Sequence, residues 1–293
     1  MGMRIRTNVP SLIAQRYMEK NNQDLQTSLE RLSSGYRINK SADDAAGLAI
    51  TEHLRADVRG LNVAKRNAND AVSLVQVSEG AMNEMTNILI RLRELTTQSA
   101  SDTIGEQERS FLNREYTQLT DEMDRIANTT EFNGRKIFDP NNENSQYVIQ
   151  VGINGTKPEQ NTDTLTINLE GLKFDTQALG LGKGSEIGAA VVGEQGPSRD
   201  EISEKLGTID TALGRIANER ATLGAIQNRL GSAISNLGIS IESQQAAMSR
   251  IRDVDFASET ADLTQAKIMT QSNASVLMQA NQSPEMALSL LRN

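Results

Sequence analysis

The chain has 293 residues, of which 3% are aromatic, with no tryptophan and no cysteine, and its formal net charge is -8. So few large aromatic side chains disfavour a thick globular core and favour thin helical bundles. The acidic balance argues against a nucleic-acid partner, because such binding depends on Lys and Arg side chains that neutralise phosphates, and the lack of cysteine excludes disulfides, thiolate metal sites and cysteine nucleophiles.

Two helices are predicted in the first third of the chain. The first runs from about residue 11 to 32 and ends at Gly35, which can adopt the left-handed conformation that closes a helix. Its apolar stripe is Met18, Leu25, Leu29 and Leu32. Ser41, followed by two aspartates, indicates the start of a second helix, and the lack of proline predicts that this helix continues to about residue 101.

Apolar residues at alternating steps of three and four indicate a coiled-coil seam in the second helix and a matching seam near the other end of the chain. The seam of the second helix contains Leu61, Ala64, Ala68, Ala71, Val75, Ser78, Met82, Met85, Leu89 and Leu92. The later seam, between about residues 202 and 251, contains Ile202, Ile209, Ile216, Leu223, Leu230 and Leu237, interleaved by Leu206, Leu213, Ile234, Ile241 and Met248. Because a helix with such a seam needs a partner, the two long helices are expected to pack together.

Between the two long helices the apolar period changes from seven residues to two. A third helix at about 107–128 repeats the seam, and Asn133-Gly134 is a tight-turn dipeptide typical of a hairpin. Alternating apolar residues predict the strands of a small antiparallel sheet: Tyr147, Ile149 and Val151, then Leu165, Ile167 and Leu169. The Gly-rich stretch 176–197 has no periodic apolar pattern and is predicted to be a short surface insert.

A weaker helix is predicted at about 258–281, with Leu263, Ala266, Val276, Leu277 and Ala280 as its apolar residues. This helix and the first one are sparsely apolar and rich in Asn, Gln, Ser and Thr, which is typical of helices that are stable only when neighbours cover them. The predicted fold is mainly α: a long antiparallel coiled-coil helical bundle with paired N- and C-terminal helices and a small antiparallel β-hairpin region. The expected domains are a terminal helical pair, 1–44 plus 253–293, and a bundle with the hairpin, 45–175 plus 198–252.

No pattern in the sequence supports catalysis, a cofactor or a metal. The run from Gly180 to Ser185 suggests a phosphate loop, but Gly184 interrupts its Gly-Lys-Ser core and no buried strand precedes it. The single histidine, His53, has neither a second histidine four residues away nor a cysteine, so a metal or general-base role is not expected. No stretch has the apolar length of a signal peptide or a membrane span, so Sec-type export and membrane anchoring are disfavoured.

Several strings near the two ends of the chain carry a family resemblance. They are Glu30-Arg-Leu-Ser-Ser-Gly-Tyr-Arg-Ile-Asn39, Asp43-Asp-Ala-Ala-Gly-Leu-Ala-Ile50, Arg66-Asn-Ala-Asn-Asp70, Ser249-Arg-Ile-Arg-Asp253, Ser275-Val-Leu-Met-Gln-Ala-Asn281 and Leu288-Ser-Leu-Leu-Arg292. Through these strings the chain resembles bacterial flagellin, the filament subunit of the flagellum, over about residues 1–140 and 200–293.

The resemblance implies a structural protein, not an enzyme, that is secreted and polymerises into the extracellular flagellar filament for swimming motility. The terminal pair is expected to form an inner tube and the bundle an outer tube, with no extra outer domain in 176–197. The implied partners are other copies of the chain, the flagellar type III export apparatus, a secretion chaperone, and hook-associated and cap proteins. By the same resemblance, the monomer is expected to contact the flagellin-sensing Toll-like receptor through Arg91, Leu95 and Glu115.

Two other functions stay open on the sequence alone. A hook-filament junction protein shares flagellin-like ends, although it usually departs more from these terminal strings. A coiled-coil signalling protein of the chemoreceptor type also has long antiparallel heptads, but it would have a helical tip where this chain is Gly-rich and strand-like.

Overall fold

The computed structural model describes residues 7–138, 146–154, 163–168, 174–182, 186–188 and 197–292, with the backbone alone for 283–292. The elements in chain order are α1 (Val9–Ser34), α2 (Ala45–Ser99), α3 (Glu106–Thr129), β1 (Glu131–Phe132), β2 (Arg135–Lys136), β3 (Gln146–Gln150), β4 (Thr164–Asn168), α4 (Arg199–Arg252) and α5 (Phe256–Arg292). The predicted fold class, mainly α with a small antiparallel β region, is confirmed. In the described part of the chain, no helix is both long enough and apolar enough to cross a membrane.

The ends of the first two helices follow from local hydrogen bonds. Asn8 caps α1, because its side-chain oxygen accepts the Ser11 N–H at 3.2 Å. Gly35 ends α1 with a φ of 76°, which confirms the predicted left-handed cap. The prediction of Ser41 as the cap of the second helix is wrong: Asp44 has this role, since its carboxylate accepts the Gly47 N–H at 2.8 Å.

The middle of the chain forms two separate two-stranded antiparallel sheets. The predicted turn lies between β1 and β2, where Asn133 and Gly134 have φ values of 51° and 75°, as a tight hairpin turn requires. In the second sheet Tyr147 faces Ile167 and Ile149 faces Leu165, which confirms the predicted pairing of these segments. Leu169, expected to continue β4, lies outside the described residues.

The described contacts divide the chain into a terminal unit, residues 1–58 and 242–293, and a central unit, residues 59–241. The core of the central unit is formed by one face each of α2, α3 and α4. The second sheet and the segment after it cover the same core through Leu165, Ile167 and Phe174. A smaller cluster, made of Leu61, Ala64 and Leu237, extends the packing of α2 on α4.

Part of the stretch predicted as a surface insert belongs to the core of the central unit. Within 176–197, the side chains of Thr176, Leu179, Leu181 and Ile187 are buried. The description as a surface insert is therefore wrong for these residues, although residues 183–185 and 189–196 lie outside the described part. The reason is that single apolar residues between glycines can fill a core without leaving any periodic pattern in the sequence.

In the terminal unit, α1 and α5 pack against each other along their length. Two residues of their predicted apolar stripes, Leu29 on α1 and Val276 on α5, are exposed instead. The stripe of α1 that is buried or half-buried uses small and polar residues as well as large ones: Ser11, Ala14, Met18, Asn21, Leu25, Ser28 and Leu32. On α1, counting only large apolar residues therefore included the exposed Leu29 and left out the buried Ser11, Ala14 and Ser28.

Candidate functional site

Antiparallel contacts fix the pairing of α1 with α5. The Asn8 amide donates to the Ala280 carbonyl at 2.9 Å, and the Ser11 hydroxyl donates to the Asn281 side chain at 2.9 Å. Toward the other end of α1, Arg31 lies 3.6 Å from the buried carboxylate of Glu259. These pairs set the register of the two terminal helices.

The seam between α1 and α5 is narrow and polar. The side-chain nitrogens of Asn21 and Asn273 are buried, and neither finds a hydrogen-bond partner among the residues that the structure describes. Such orphaned amides lower stability, and a buried asparagine in a helix seam is a known means of fixing register at that cost. We therefore expect the pair to be less stable on its own than the apolar seam of the central unit.

Both terminal helices expose large apolar side chains. On the first turns of α1 these are Val9, Leu12, Ile13 and Tyr17, and on α5 they are Phe256, Ile268, Met269, Val276 and Met278. The α5 surface also carries a shallow groove of about 550 Å³, with Ala257, Ala261 and Thr264 among its small residues and Ile268 and Met269 as its large ones. Ten of the nineteen exposed large apolar residues in the described chain lie on these two helices, and this concentration indicates a surface that another protein covers.

A short backbone pairing, here named the clasp, connects residues 35–37 to residues 251–254. The Arg37 N–H donates to the Arg252 carbonyl at 2.6 Å, and the Val254 N–H donates to the Gly35 carbonyl at 3.1 Å. The Arg37 guanidinium adds a 2.7 Å hydrogen bond to the Ile251 carbonyl. The clasp thus joins the chain after α1 to the chain before α5.

The predicted seam residues lie where helices pack in the central unit. On α2, all ten seam residues from Leu61 to Leu92 are buried. On α4, the six residues from Ile202 to Leu237 at seven-residue spacing are buried, and the five interleaved residues are half-buried. The buried seam residues include Leu61, Ala68, Val75, Met82 and Leu89 on α2, and Ile209, Ile216, Leu223, Leu230 and Leu237 on α4.

Of the three residues expected to contact a receptor, two are exposed and one is buried. Arg91 and Glu115 are exposed and form an ion pair at 2.8 Å that joins α2 to α3, and Glu94 lies 2.9 Å from the same guanidinium. The hydrogen bonds that Arg91 donates, first to Glu115 and then to Glu94, raise the pKa of Arg91 above its ordinary value. Leu95 is only 1% exposed, so a partner binding here would meet Arg91 and Glu115 first.

Neither of the weak chemical motifs forms a site in the described residues. His53 is exposed on α2 and lies 3.5 Å from Asp57, one turn away on the same helix. Gly180 occupies a turn with a φ of 73°, and residues 183–185 of the glycine-rich run lie outside the described part of the chain. Among residues whose side chains are described, no three potential metal ligands come together.

Two polar anchors of the central unit were not predicted from the sequence. The Asp124 carboxylate accepts both the N–H and the hydroxyl of Thr176, each at 2.7 Å. The buried Asn113 side chain accepts the Ile187 N–H at 3.0 Å, and Ser99 donates to the Ile187 carbonyl at 2.6 Å. The sequence did contain one signal for these anchors: Asn113 is a polar residue on the buried face of the predicted third helix. Because buried polar groups need partners, it indicated a hydrogen bond to another segment.

Comparison with known proteins finds family matches for both ends of the chain. Residues 5–143 match the family described as the bacterial flagellin N-terminal helical region, and residues 206–291 match the bacterial flagellin C-terminal helical region. The chain is 41% identical over 290 residues to a flagellin of Halalkalibacterium halodurans, covering 99% of this chain and 100% of that protein. It is 37% identical over 298 residues to the flagellar filament 33 kDa core protein of Treponema phagedenis, again covering 99% and 100%. The crystal structure of Bacillus cereus flagellin aligns with 59% of this chain and 88% of that chain at 32% identity, with a TM-score of 0.47.

Proposed function

The chain belongs to the bacterial flagellin family and is a structural subunit of the flagellar filament, and we propose that it polymerises through the exposed faces of α1 and α5. The observation that carries this proposal is the set of large apolar side chains that α1 and α5 expose on the terminal unit. Covering them with another copy removes apolar surface from water, worth roughly 25 cal/mol per Å². The alternatives of a junction protein and a signalling protein are not favoured, because relatives matched over their full length are named flagellin or filament core protein.

The two exposed faces differ in shape, which supports an open-ended polymer. The α1 face presents protruding side chains such as Leu12, Ile13 and Tyr17, whereas the α5 face has a groove with small residues such as Ala257 and Ala261. A contact between unlike faces is heterologous, so it repeats from one copy to the next and builds a helix when it does not close. A closed dimer would instead need one self-complementary face.

Seeded assembly of purified protein tests the proposed surface. We expect Ile13→Asp and Ile268→Asp each to abolish elongation from filament seeds, because each places a charge in an apolar contact. Val148→Asp is the matched control: Val148 lies on β3 of the central unit and is 61% exposed, against 60% for Ile268. Normal elongation of both terminal variants would contradict the proposal.

The division into tubes is a further part of this proposal. The terminal pair, expected to be 1–44 plus 253–293, would line the inner tube, and the rest would form the outer tube. The described contacts favour a longer terminal unit that reaches residues 58 and 242, inside α2 and α4. The narrow polar seam of α1 and α5 supports an inner position, where neighbouring copies cover both helices.

The export and end-binding partners that the resemblance implies are a further part of this proposal, and the same exposed surfaces support them. A secretion chaperone would cover the apolar residues of α5 before the type III apparatus secretes the chain to the cell exterior. Hook-associated and cap proteins would bind the unpaired α1 or α5 face that a heterologous polymer leaves at each end. Val276→Asp on exposed α5 should weaken chaperone binding, measured by calorimetry with the full chain, whereas Val148→Asp should not.

Recognition of the monomer by the flagellin-sensing Toll-like receptor would use the exposed Arg91–Glu115 pair. We expect the double variant Arg91→Ala/Glu115→Ala to lower signalling in receptor-bearing reporter cells. Arg125→Ala/Glu122→Ala is the matched control, because it removes another exposed Arg–Glu pair, 2.6 Å apart on α3. Equal signalling from wild type and the Arg91→Ala/Glu115→Ala variant would remove this pair from the contact site.

A further inference from the structure

Methionine is the only sulfur-containing residue of this chain, which has ten methionines and no cysteine. Among the methionines whose side chains the structure describes, three are fully buried, two are exposed, and Met18 and Met248 are half-buried. Met82, Met85 and Met123 are 0% exposed in the core of the central unit, whereas Met269 and Met278 on α5 are 46% and 63% exposed. An oxidant in solution therefore reaches the thioethers of Met269 and Met278 without any unfolding, and it reaches the core thioethers only after the central unit opens.

Oxidation changes the chemical character of the α5 surface. A peroxide transfers one oxygen atom to the thioether sulfur; the S–O bond forms, the O–O bond breaks, sulfur is oxidised by two electrons, and hydrogen peroxide leaves as water. The product, methionine sulfoxide, is polar and chiral, and it disrupts methionine-containing interfaces. Met269 lines the α5 groove beside Ile268, where a sulfoxide oxygen would replace apolar surface.

We propose that Met269 and Met278 are oxidation sites at which peroxide blocks the joining of subunits, and that a dithiol reductant acting through methionine sulfoxide reductases restores it. In that reduction the two thiols are oxidised to a disulfide, the S–O bond breaks and the oxygen leaves as water. This proposal rests on the proposed function, because it requires that assembly buries the α5 face. In an apolar contact the sulfoxide oxygen would find no hydrogen-bond donor, so burying it opposes the contact. On a free monomer the same oxygen accepts hydrogen bonds from water. Oxidation of these two residues acts on the unassembled subunit and leaves its central core intact.

The double variant Met269→Leu/Met278→Leu separates this effect from general oxidative damage. Leucine keeps the volume and apolar character of methionine but has no sulfur. The matched control is Met18→Leu/Met248→Leu, which removes two half-buried methionines of the terminal unit. All proteins are treated with hydrogen peroxide, desalted and added to untreated filament seeds, and peptide mass spectrometry measures the sulfoxide at each position.

We expect peroxide to lower elongation by wild type and by the Met18→Leu/Met248→Leu control at least fivefold, and methionine sulfoxide reductases to restore it. The Met269→Leu/Met278→Leu variant should elongate equally before and after treatment. An equal loss in that variant, or full elongation by wild type with both residues oxidised, would overturn the proposal. Failure of the untreated wild type to elongate would instead overturn the proposed function.

Filaments provide a second readout that needs no variant. If assembly buries the α5 face, Met269 and Met278 should oxidise at least tenfold more slowly in filaments than in monomer at the same peroxide concentration. Met82, which is buried in the central unit in either case, should oxidise slowly in both. Equal rates for the α5 methionines in filaments and monomer would contradict the proposed site.

Discussion

Arg252 stacks on Tyr36, with its guanidinium carbon 4.4 Å from the centre of the tyrosine ring. The same arginine pairs with Glu52 at 3.1 Å, so one side chain connects the ends of α1 and α4 to the start of α2. Tyr36 and Arg252 belong to two of the strings that carry the family resemblance, Glu30 to Asn39 and Ser249 to Asp253. These strings meet in the clasp although they lie near opposite ends of the sequence.

Removing the stacked ring should weaken the clasp. We expect Tyr36→Ala to cost about 1–2 kcal/mol, since a partly desolvated cation–π contact is worth about this much. Thermal depolymerisation of filaments, followed by light scattering, should then occur at a lower temperature. Tyr36→Phe keeps the ring and should behave as wild type, so an equal loss in Tyr36→Phe would mean that stacking is not the cause.

The seam of the central unit should respond strongly to a change at Leu230. This residue is fully buried among α2 and α4 residues, so Leu230→Ala should lower the free energy of unfolding by about 2–5 kcal/mol, and Leu230→Asp by more. Urea denaturation of the monomer measures both. Ile239→Ala changes an exposed residue of the same helix and should leave the midpoint almost unchanged, whereas an unchanged midpoint for Leu230→Asp would show that the packing register is wrong.

The contacts around Ile187 change what a deletion of 176–197 should do. Ile187 is buried, and its backbone is bonded on both sides by Ser99 and Asn113. Removing the whole stretch should therefore destabilise the monomer, and Ile187→Ala alone should cost about 2–5 kcal/mol by large-to-small replacement in a core. Circular dichroism during heating checks both variants, and an unaltered melting temperature for the deletion would restore the description of the stretch as a surface loop.

The periodic parts of the structure were predictable, and so were two local signals, the Gly35 cap and the Asn133-Gly134 turn, but contacts between distant non-periodic segments were not. The seams of α2 and α4 repeat every seven residues over many turns, so Val75 or Ile216 could be placed in the core without knowing its partner. The burial of Ile187, the cap at Asp44 and the clasp between Tyr36 and Arg252 depend on contacts between segments that carry no shared pattern. The seam of α1 and α5 lies between these cases, because several of its buried positions are serine or alanine, which a stripe of large apolar residues leaves out.

Three glycines of α4 should be sites of simple stabilisation. Gly207, Gly214 and Gly231 lie in the helix, and an added Cβ at each would meet no neighbouring atom within 4 Å. Each change to alanine should raise the free energy of unfolding by about 0.5–1 kcal/mol, because alanine loses less backbone entropy on folding. Gly188→Ala is the contrasting case, because the added Cβ would collide with the Arg109 carbonyl. This variant should lower the free energy of unfolding in the same urea titration.

Folding of the terminal helices should occur together with assembly. Their seam contains small and polar residues such as Ser11, Ala14 and Ser28, and Asn21 and Asn273 leave amide nitrogens without partners in the described structure. The area that this seam buries cannot offset about 1–2 kcal/mol of backbone entropy per residue, so neighbouring copies must cover the exposed apolar side chains as well.

In the monomer we therefore expect fast amide exchange before about Ala45 and after about Asp253, and strong protection of the same amides in filaments. Removing residues 254–293 should leave a folded central unit that does not polymerise, because this unit has its own core of α2, α3 and α4. Hydrogen exchange measured by mass spectrometry on monomer and filament tests the coupling. Protected termini in dilute monomer, or filaments formed by the truncated chain, would show that the terminal helices fold independently of assembly.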